Sequence, residues 1–302
     1  MEHDVSGSGY QPIGDVEGLA KGEGWGGKGC LTDLSQVAML CSDAAITGDD
    51  ETGAFSRVGE PTEAALCVLA EKLGIAPDEG APCSTVANFN AKRWEALYER
   101  SATLEFNRDR KSMGVVVTDA ASKAKKLLVK GAPNSVIERC THVKLKSGKV
   151  VKMSEKMRAE ILAKVSTMAS KPLRTLALAV KTNLPSSIKS YTGGPNDVGG
   201  HPLLGNPSKF AVVESGLTLV GVAGIKDPAR PEVAESIKTC TKAGIRVMMI
   251  TGDAKDTAVA IARDVNIFSA EQVASGDFKA FEGREVRSGE ERGDELRKRS
   301  IS

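Results

Sequence analysis

Apolar positions recur at helical spacing in several separate stretches of this chain and run continuously in others. Leu66, Leu69, Ala70 and Leu73 share one face of Pro61–Leu73, which predicts an amphipathic helix. Pro61 and Thr62 suit its start, and Glu63 in the first turn complements the helix dipole. Leu34–Leu40 opens another helical pattern, and Val86–Arg100 is read as a further helix. Ser154–Ala169 carries Met157, Ile161, Val165 and Met168 on one stripe. Between these stretches, Thr103–Phe106, Met113–Thr118, Leu127–Lys130 and Leu176–Val180 read as strands. Thr182–Lys209, with five glycines and four prolines, is expected to be an exposed loop insertion. Beyond it the style changes: Leu217–Ile225 and Ile245–Ile250 read as apolar strands, and Glu232–Ala243 and Thr257–Val265 as helices. Ala258, Ile261, Ala262 and Val265 give the last helix its apolar face. Alternating apolar strands and helices predict a parallel sheet covered on both faces. A boundary is therefore expected near Asp227-Pro228, giving an α/β chain with one domain over 1–224 and a second over 225–302. The glycine-rich first thirty residues read as loop, and the charged tail from Phe278 is expected to fray.

Composition narrows the function classes. A length of 302 residues suits about two domains. The net charge of +2, from 41 basic and 39 acidic residues, argues against nucleic-acid binding as the main task. No apolar run reaches the roughly 20 residues that cross a bilayer. The amino-terminal MEHDVSGSGY has neither the basic region nor the apolar core of a signal peptide. Six cysteines (Cys30, Cys41, Cys67, Cys83, Cys140 and Cys240) and three histidines (His3, His142 and His201) are dispersed without a zinc-type cluster. A soluble, intracellular protein with free thiols is the expectation. GEGWGG, Gly22–Gly27, matches the dinucleotide fingerprint formally, but no apolar strand precedes it and it reads as a flexible turn.

The chemistry concentrates in two islands. Leu104–Met113 (LEFNRDRKSM) sets Phe106 among three cations, Arg108, Arg110 and Lys111. A ring beside guanidinium and ammonium groups suits a nucleotide, the ring stacking on the base and the cations meeting phosphates. Alone, the same residues also suit an edge strand with a solvated charged end. Leu127–Pro133 (LLVKGAP) carries Lys130 into a Gly131-Ala132-Pro133 turn. Asp227 and Asp253 follow the two downstream apolar runs, where an open parallel sheet gathers ligands. Thr251-Gly252-Asp253 leads into a helix whose free amides suit a phosphate; a simple helix cap is the alternative.

VSGSGYQPIGDV (Val5–Val16), VGEPTEAAL (Val58–Leu66), LEFNRDRKSM, LLVKGAP, LRTLALAV (Leu173–Val180), DPAR (Asp227–Arg230) and IRVMMITGD (Ile245–Asp253) stand in one order. In that order they resemble the cytoplasmic region of P-type cation pumps, most similarly the sarco/endoplasmic-reticulum calcium pumps of type IIA. The resemblance covers almost the whole chain. It implies an α+β nucleotide-binding domain with an antiparallel sheet flanked by helices, followed by part of a haloacid-dehalogenase-like parallel sheet. It implies that Phe106 stacks on adenine, that Glu63 bonds the base's polar edge, and that Lys130 and Gly131 floor the pocket. Arg108, Lys111 and Arg174 would address ribose and phosphates. Thr251, Gly252 and Asp253 would meet the terminal phosphate in the phosphorylation domain, and Asp227 would mark the hinge. ATP, and magnesium in the complete pump, are the implied cofactors; calcium would be handled only by a membrane domain.

Three motifs depart from the family pattern: KGAPE reads KGAPN at Asn134, DPPR reads DPAR, and TGDN reads TGDA at Ala254. No DKTGT sequence, which would carry the phosphorylated aspartate, and no TGDGVNDA segment occurs in the 302 residues. The expectation is an ATP-binding fragment, without a catalytic or metal-binding residue of its own, from a pump on the cytoplasmic side of the endoplasmic reticulum. The alternative is a stand-alone, catalytically inactive ATP-binding or regulatory protein. A soluble phosphatase on the same parallel sheet ranks last, since its nucleophilic aspartate is missing.

Overall fold

The computed structural model describes residues 2–7, 9–20, 29–74, 82–171, 173–226, 229, 232–252, 255–276 and 279–281. The first described helix, α1 (Cys30–Leu40), precedes a short hairpin of β1 (Ala45–Gly48) and β2 (Phe55–Val58). Then follow α2 (Pro61–Leu73), α3 (Cys83–Ala87) and α4 (Phe89–Leu97), and a three-strand meander of β3 (Tyr98–Asn107), β4 (Ser112–Asp119) and β5 (Lys125–Gly131). The chain continues through α5 (Pro133–Glu138), β6 (Cys140–Lys144), β7 (Val150–Lys152), α6 (Glu155–Ala169) and β8 (Leu173–Lys181). Short helices α7 (Ser186–Lys189) and α8 (Phe210–Val213) lead to β9 (Leu217–Lys226). Last come α9 (Val233–Lys242), α10 (Lys255–Asp264) and α11 (Ala270–Ser275). The seven-stranded sheet has the order β3-β4-β5-β8-β9-β6-β7 and is mixed, antiparallel from β3 to β8 and parallel between β6 and β9.

Contacts divide the chain into two units, 1–162 with 175–225, and 163–174 with 226–302. The core of the first unit lies between the sheet and α1, α2 and α4. Val37, Ala38, Leu66, Ala70 and Trp94 from the helices meet Met113, Val115, Val117, Leu128 and Leu178 from the strands. Val116, Leu127, Val129, Ala177 and Ala179 point the opposite way and are fully buried as well. With both faces covered, β4 and β5 carry near-continuous apolar runs instead of alternation, so their existence was legible but their facing was not. The helix α2 has the predicted bounds. It ends at Gly74, whose N–H donates to Ala70 O and Glu71 O.

Four expectations are corrected. The helix read over Val86–Arg100 breaks at Asn88 and ends at Leu97, because Tyr98 to Arg100 pair with β4 as a strand. The stretch 182–209 is not merely an exposed loop. Leu184, Ile188 and Leu204 are at most 3% exposed, so scattered apolar residues anchor a segment whose glycine and proline content suggested only solvent. Leu217–Lys226 joins the mixed sheet through parallel pairing to β6, not a separate parallel sheet. Ile245–Ile250 forms no strand; Met248 is 74% and Ile250 96% exposed. A strand exists only through hydrogen bonds to a neighbouring one, and among the described residues none runs beside this segment. The helices on either side form as α9 and α10, with Ala262 buried in the latter and Val265 buried just beyond its end. Gly22–Gly27, Asp227, Asp253 and the tail beyond Phe281 lie outside the described residues.

Candidate functional site

The LEFNRDRKSM island is the β3–β4 hairpin, on the edge strand of the large sheet. Leu104 pairs with Gly114 and Asn107 with Ser112, so Glu105 and Phe106 together oppose the single residue Met113. This bulge interrupts the period-two alternation that would put Phe106 on the same side as Ala102 and Leu104, both fully buried. Phe106 is instead 61% exposed, an aromatic face offered to solvent beside a charged turn. Asn107 shapes that turn. Its Oδ1 accepts from the Asp109 N–H at 2.7 Å and the Arg110 N–H at 3.3 Å, and its carbonyl accepts from the Lys111 N–H at 2.7 Å. Lys111 closes the turn at φ +51°, a left-handed conformation that costs a side-chain-bearing residue about a kcal/mol. Arg108 and Lys111 emerge exposed from it.

The LLVKGAP island is β5 and the turn after it. Met113 pairs with Lys130 and Lys130 with Leu178, so these residues form one row across the sheet. Phe106 stands at the end of that row, two strands or about 10 Å of backbone from Lys130. The Lys130 ammonium reaches Glu63 on α2 at 2.6 Å, and both groups are largely buried. The second oxygen of Glu63 accepts from the Asp43 N–H at 2.8 Å, and Asp43 in turn meets Arg100 at 2.6 Å. Glu63 and Lys130 therefore form a pair within the wall behind the exposed ring. Gly131 belongs to the same corner. Ala132 N–H donates to Lys111 O at 2.9 Å, which draws the two chains together. A Cβ on Gly131 would stand 2.4 Å from Lys111 O and 2.7 Å from the Ser112 Cβ, so only glycine allows this approach.

Arg110, read with Arg108 and Lys111 as a phosphate-facing cation, turns inward instead. It is 9% exposed and donates through Nη2 to Ser112 O at 2.8 Å and to Leu104 O at 3.2 Å, with the Glu105 carbonyl alongside. The charge pattern of RDRK gave no sign of this, because the inward turn depends on Glu214, 104 residues downstream. Met113, a buried core residue, stands in the row between Phe106 and Lys130. Arg174 stands half-buried at the start of β8 and belongs to the second unit. Thr251 and Gly252 are exposed there, in the irregular segment before α10.

A separate cavity of about 440 Å³ opens among α1, α2, α4 and β3, lined by Met39, Ile46, Cys67, Glu71, Ala91 and Arg100 among others. None of the candidate nucleotide-site residues lines it. Among the described residues, no three His, Cys, Asp or Glu side chains gather as a metal site.

The hairpin presents an exposed aromatic ring beside two exposed cations. The family model for the cytoplasmic domain N of P-type ATPases matches residues 30–232. The chain belongs to the P-type ATPases. Among curated proteins it is 42% identical over 257 residues to the endoplasmic reticulum-type calcium-transporting ATPase 4 of Arabidopsis thaliana, covering 84% of this chain and 24% of the relative. It is 39% identical over 266 residues to the endoplasmic reticulum calcium ATPase srcA of Aspergillus fumigatus, covering 84% of this chain and 25% of that relative. The chain thus spans about a quarter of the length of these relatives. The match covers α1 to α8, the mixed sheet and the β3–β4 hairpin of this P-type ATPase N domain. No helix among the described residues is long and apolar enough to cross a membrane.

Proposed function

We propose that the chain binds ATP as the nucleotide-binding part of an endoplasmic-reticulum-type calcium-transporting ATPase. Adenine stacks on Phe106, and Arg108 and Lys111 attract the ribose and phosphate end. Glu63 and Lys130 wall the base side as a preformed pair. The family resemblance further implies phosphate contacts for Arg174, Thr251, Gly252 and Asp253. In the whole pump, ATP would phosphorylate an aspartate with magnesium present and drive calcium from the cytoplasmic side into the lumen. The 302 residues hold no DKTGT nucleophile, so ATP is bound here and not consumed. The observation that carries the reading is the exposed Phe106 ring on the hairpin that also presents Arg108 and Lys111.

Titration calorimetry with ATP, GTP and adenosine tests it. ATP should bind, adenosine more weakly, and GTP more weakly than ATP because its purine edge carries different donors. A base stack is worth on the order of 1–3 kcal/mol in nucleic-acid binders. Phe106→Ala should therefore weaken ATP by about fivefold or more, and by up to about a hundredfold. Equal affinity of the variant and the unaltered chain would count against the stacking site.

A further inference from the structure

Beneath the β3–β4 turn lies a cluster of charged residues whose sequence positions are far apart. Glu214 has no exposed surface. Its Oε2 accepts from Ser112 Oγ at 2.7 Å and from Arg139 Nη1 at 2.7 Å, and lies 3.3 Å from Arg110 Nε. Arg139 also donates through Nη2 to Ser112 Oγ at 2.9 Å and to Arg110 O at 3.3 Å. The Phe210 ring packs on the Arg110 guanidinium, 5.0 Å from its centroid, a cation–π contact away from water. Phe210 and Glu214 are four residues apart and joined by the Glu214 N–H to Phe210 O bond of 2.9 Å. One turn of chain thus offers Arg110 both a ring and a carboxylate. Gly114 leaves the room this needs, since a Cβ there would stand 2.8 Å from Glu214 Oε1.

Most side-chain bonds in this cluster end on the hairpin, and Arg139 is itself braced by its Nε donating to Ser135 O of α5 at 2.9 Å. Arg110 grips the carbonyls of Leu104 and Ser112, on either side of the turn, and Arg139 grips the carbonyl of Arg110 within it. The turn holds Lys111 in a left-handed conformation that the local sequence does not favour. A strained turn persists where its surroundings over-determine it, and here the surroundings are Arg110, Arg139 and Glu214.

Resting on the nucleotide reading above, we propose that Glu214, Arg110 and Arg139 are positioning residues for the nucleotide. From below, the buried cluster fixes the turn that presents Arg108 and Lys111 to the phosphates, at a set distance from the Phe106 ring. It touches no ligand. Its removal loosens the phosphate end of the site, while Phe106 stays held between Leu104 and Asn107, which pair with Gly114 and Ser112 of β4.

The experiment compares ATP and adenosine binding by calorimetry for the full chain and for E214Q, R110K, K111A and E214Q/K111A. The wild-type titration tests the nucleotide reading alone, and failure to bind either ligand overturns that reading and this inference with it. Given binding, E214Q should keep a cooperative thermal transition. It should weaken ATP about tenfold while changing adenosine less than twofold. R110K, which keeps the charge but loses the planar fork, should do the same. Adding E214Q to K111A should cost less than threefold further, since the lysine whose placement it governs is gone. Equal losses for ATP and adenosine, unchanged ATP affinity, or a full tenfold loss in the K111A background would each overturn the inference. If E214Q does not fold, R110K and its double variant with K111A give the same comparison.

Discussion

Replacing Glu71 with glutamine changes one titrating group in the core, and its effect follows from the structure. Glu71 lies near the end of α2, 6% exposed, and reaches the first turn of α4, whose N-cap Asn88 makes no side-chain cap bond. Its carboxylate accepts from the Asn90 N–H at 2.9 Å, the Ala91 N–H at 3.2 Å and Asn90 Nδ2 at 2.8 Å. Burial raises its pKa from the ordinary 4.5 to about 7; those donors pull it down but do not win. The folded chain therefore holds the Glu71 proton more tightly than the unfolded chain does. Its contribution to stability is largest below pH 4.5, falls as pH rises from 4.5 to about 7, and is constant above. At 1.36 kcal/mol per pH unit the full fall is about 3 kcal/mol. Glutamine does not titrate. Urea unfolding followed by tryptophan fluorescence at pH 4.5 and pH 8 gives the difference between the two proteins at each pH, and other titrating groups cancel. The stability of the variant relative to wild type should rise by about 3 kcal/mol from the lower to the higher pH, whatever fixed cost the lost acceptor adds. A relative stability that stays constant within about 0.5 kcal/mol would refute the reasoning, because that is the scatter expected of independent sites.

Gly131→Ala should destabilise by about 2 kcal/mol, since the new methyl meets backbone and not a movable side-chain end; urea midpoints measure it. Phe106→Ala should leave the thermal midpoint within a degree or two, as most of the ring is already in water, so that its loss of ATP affinity reports on the ligand alone. Incubated with radiolabelled ATP and quenched in acid, the 302-residue chain should retain no label. A labelled aspartate would mean that phosphoryl transfer does not require the DKTGT sequence. The amides of 247–250 should exchange with deuterium within seconds, given a segment without strand pairing, while those of β4 should be protected for hours.

What could be read from the sequence was what depends on near neighbours. The spacing of Leu66, Leu69, Ala70 and Leu73 fixes a helix whatever surrounds it, and Pro61 fixes its start. The valine run of β4 and the leucine-valine run of β5 became strands, the branched valines suiting a pleated surface. The order of short motifs was enough to point to the family. Ile245–Ile250 shows the limit: its residues favour a strand, but a strand is a relation between two segments and composition does not supply the second.

Facing and partnership needed the folded chain. Nothing in LEFNRDRKSM distinguishes Arg110, buried at 9%, from Arg108 and Lys111 in solvent; Phe210 and Glu214 make that choice from about a hundred residues away. A single bulge carries Phe106 out of the alternation that would have buried it. Lys130 and Glu63 are each plausible ligand contacts in one dimension, and only the packing of α2 on the sheet joins them at 2.6 Å. Local sequence sets backbone preference because the competing energies are local. The direction a charge points is set by which distant group offsets its loss of water, and that is known only once the chain has folded.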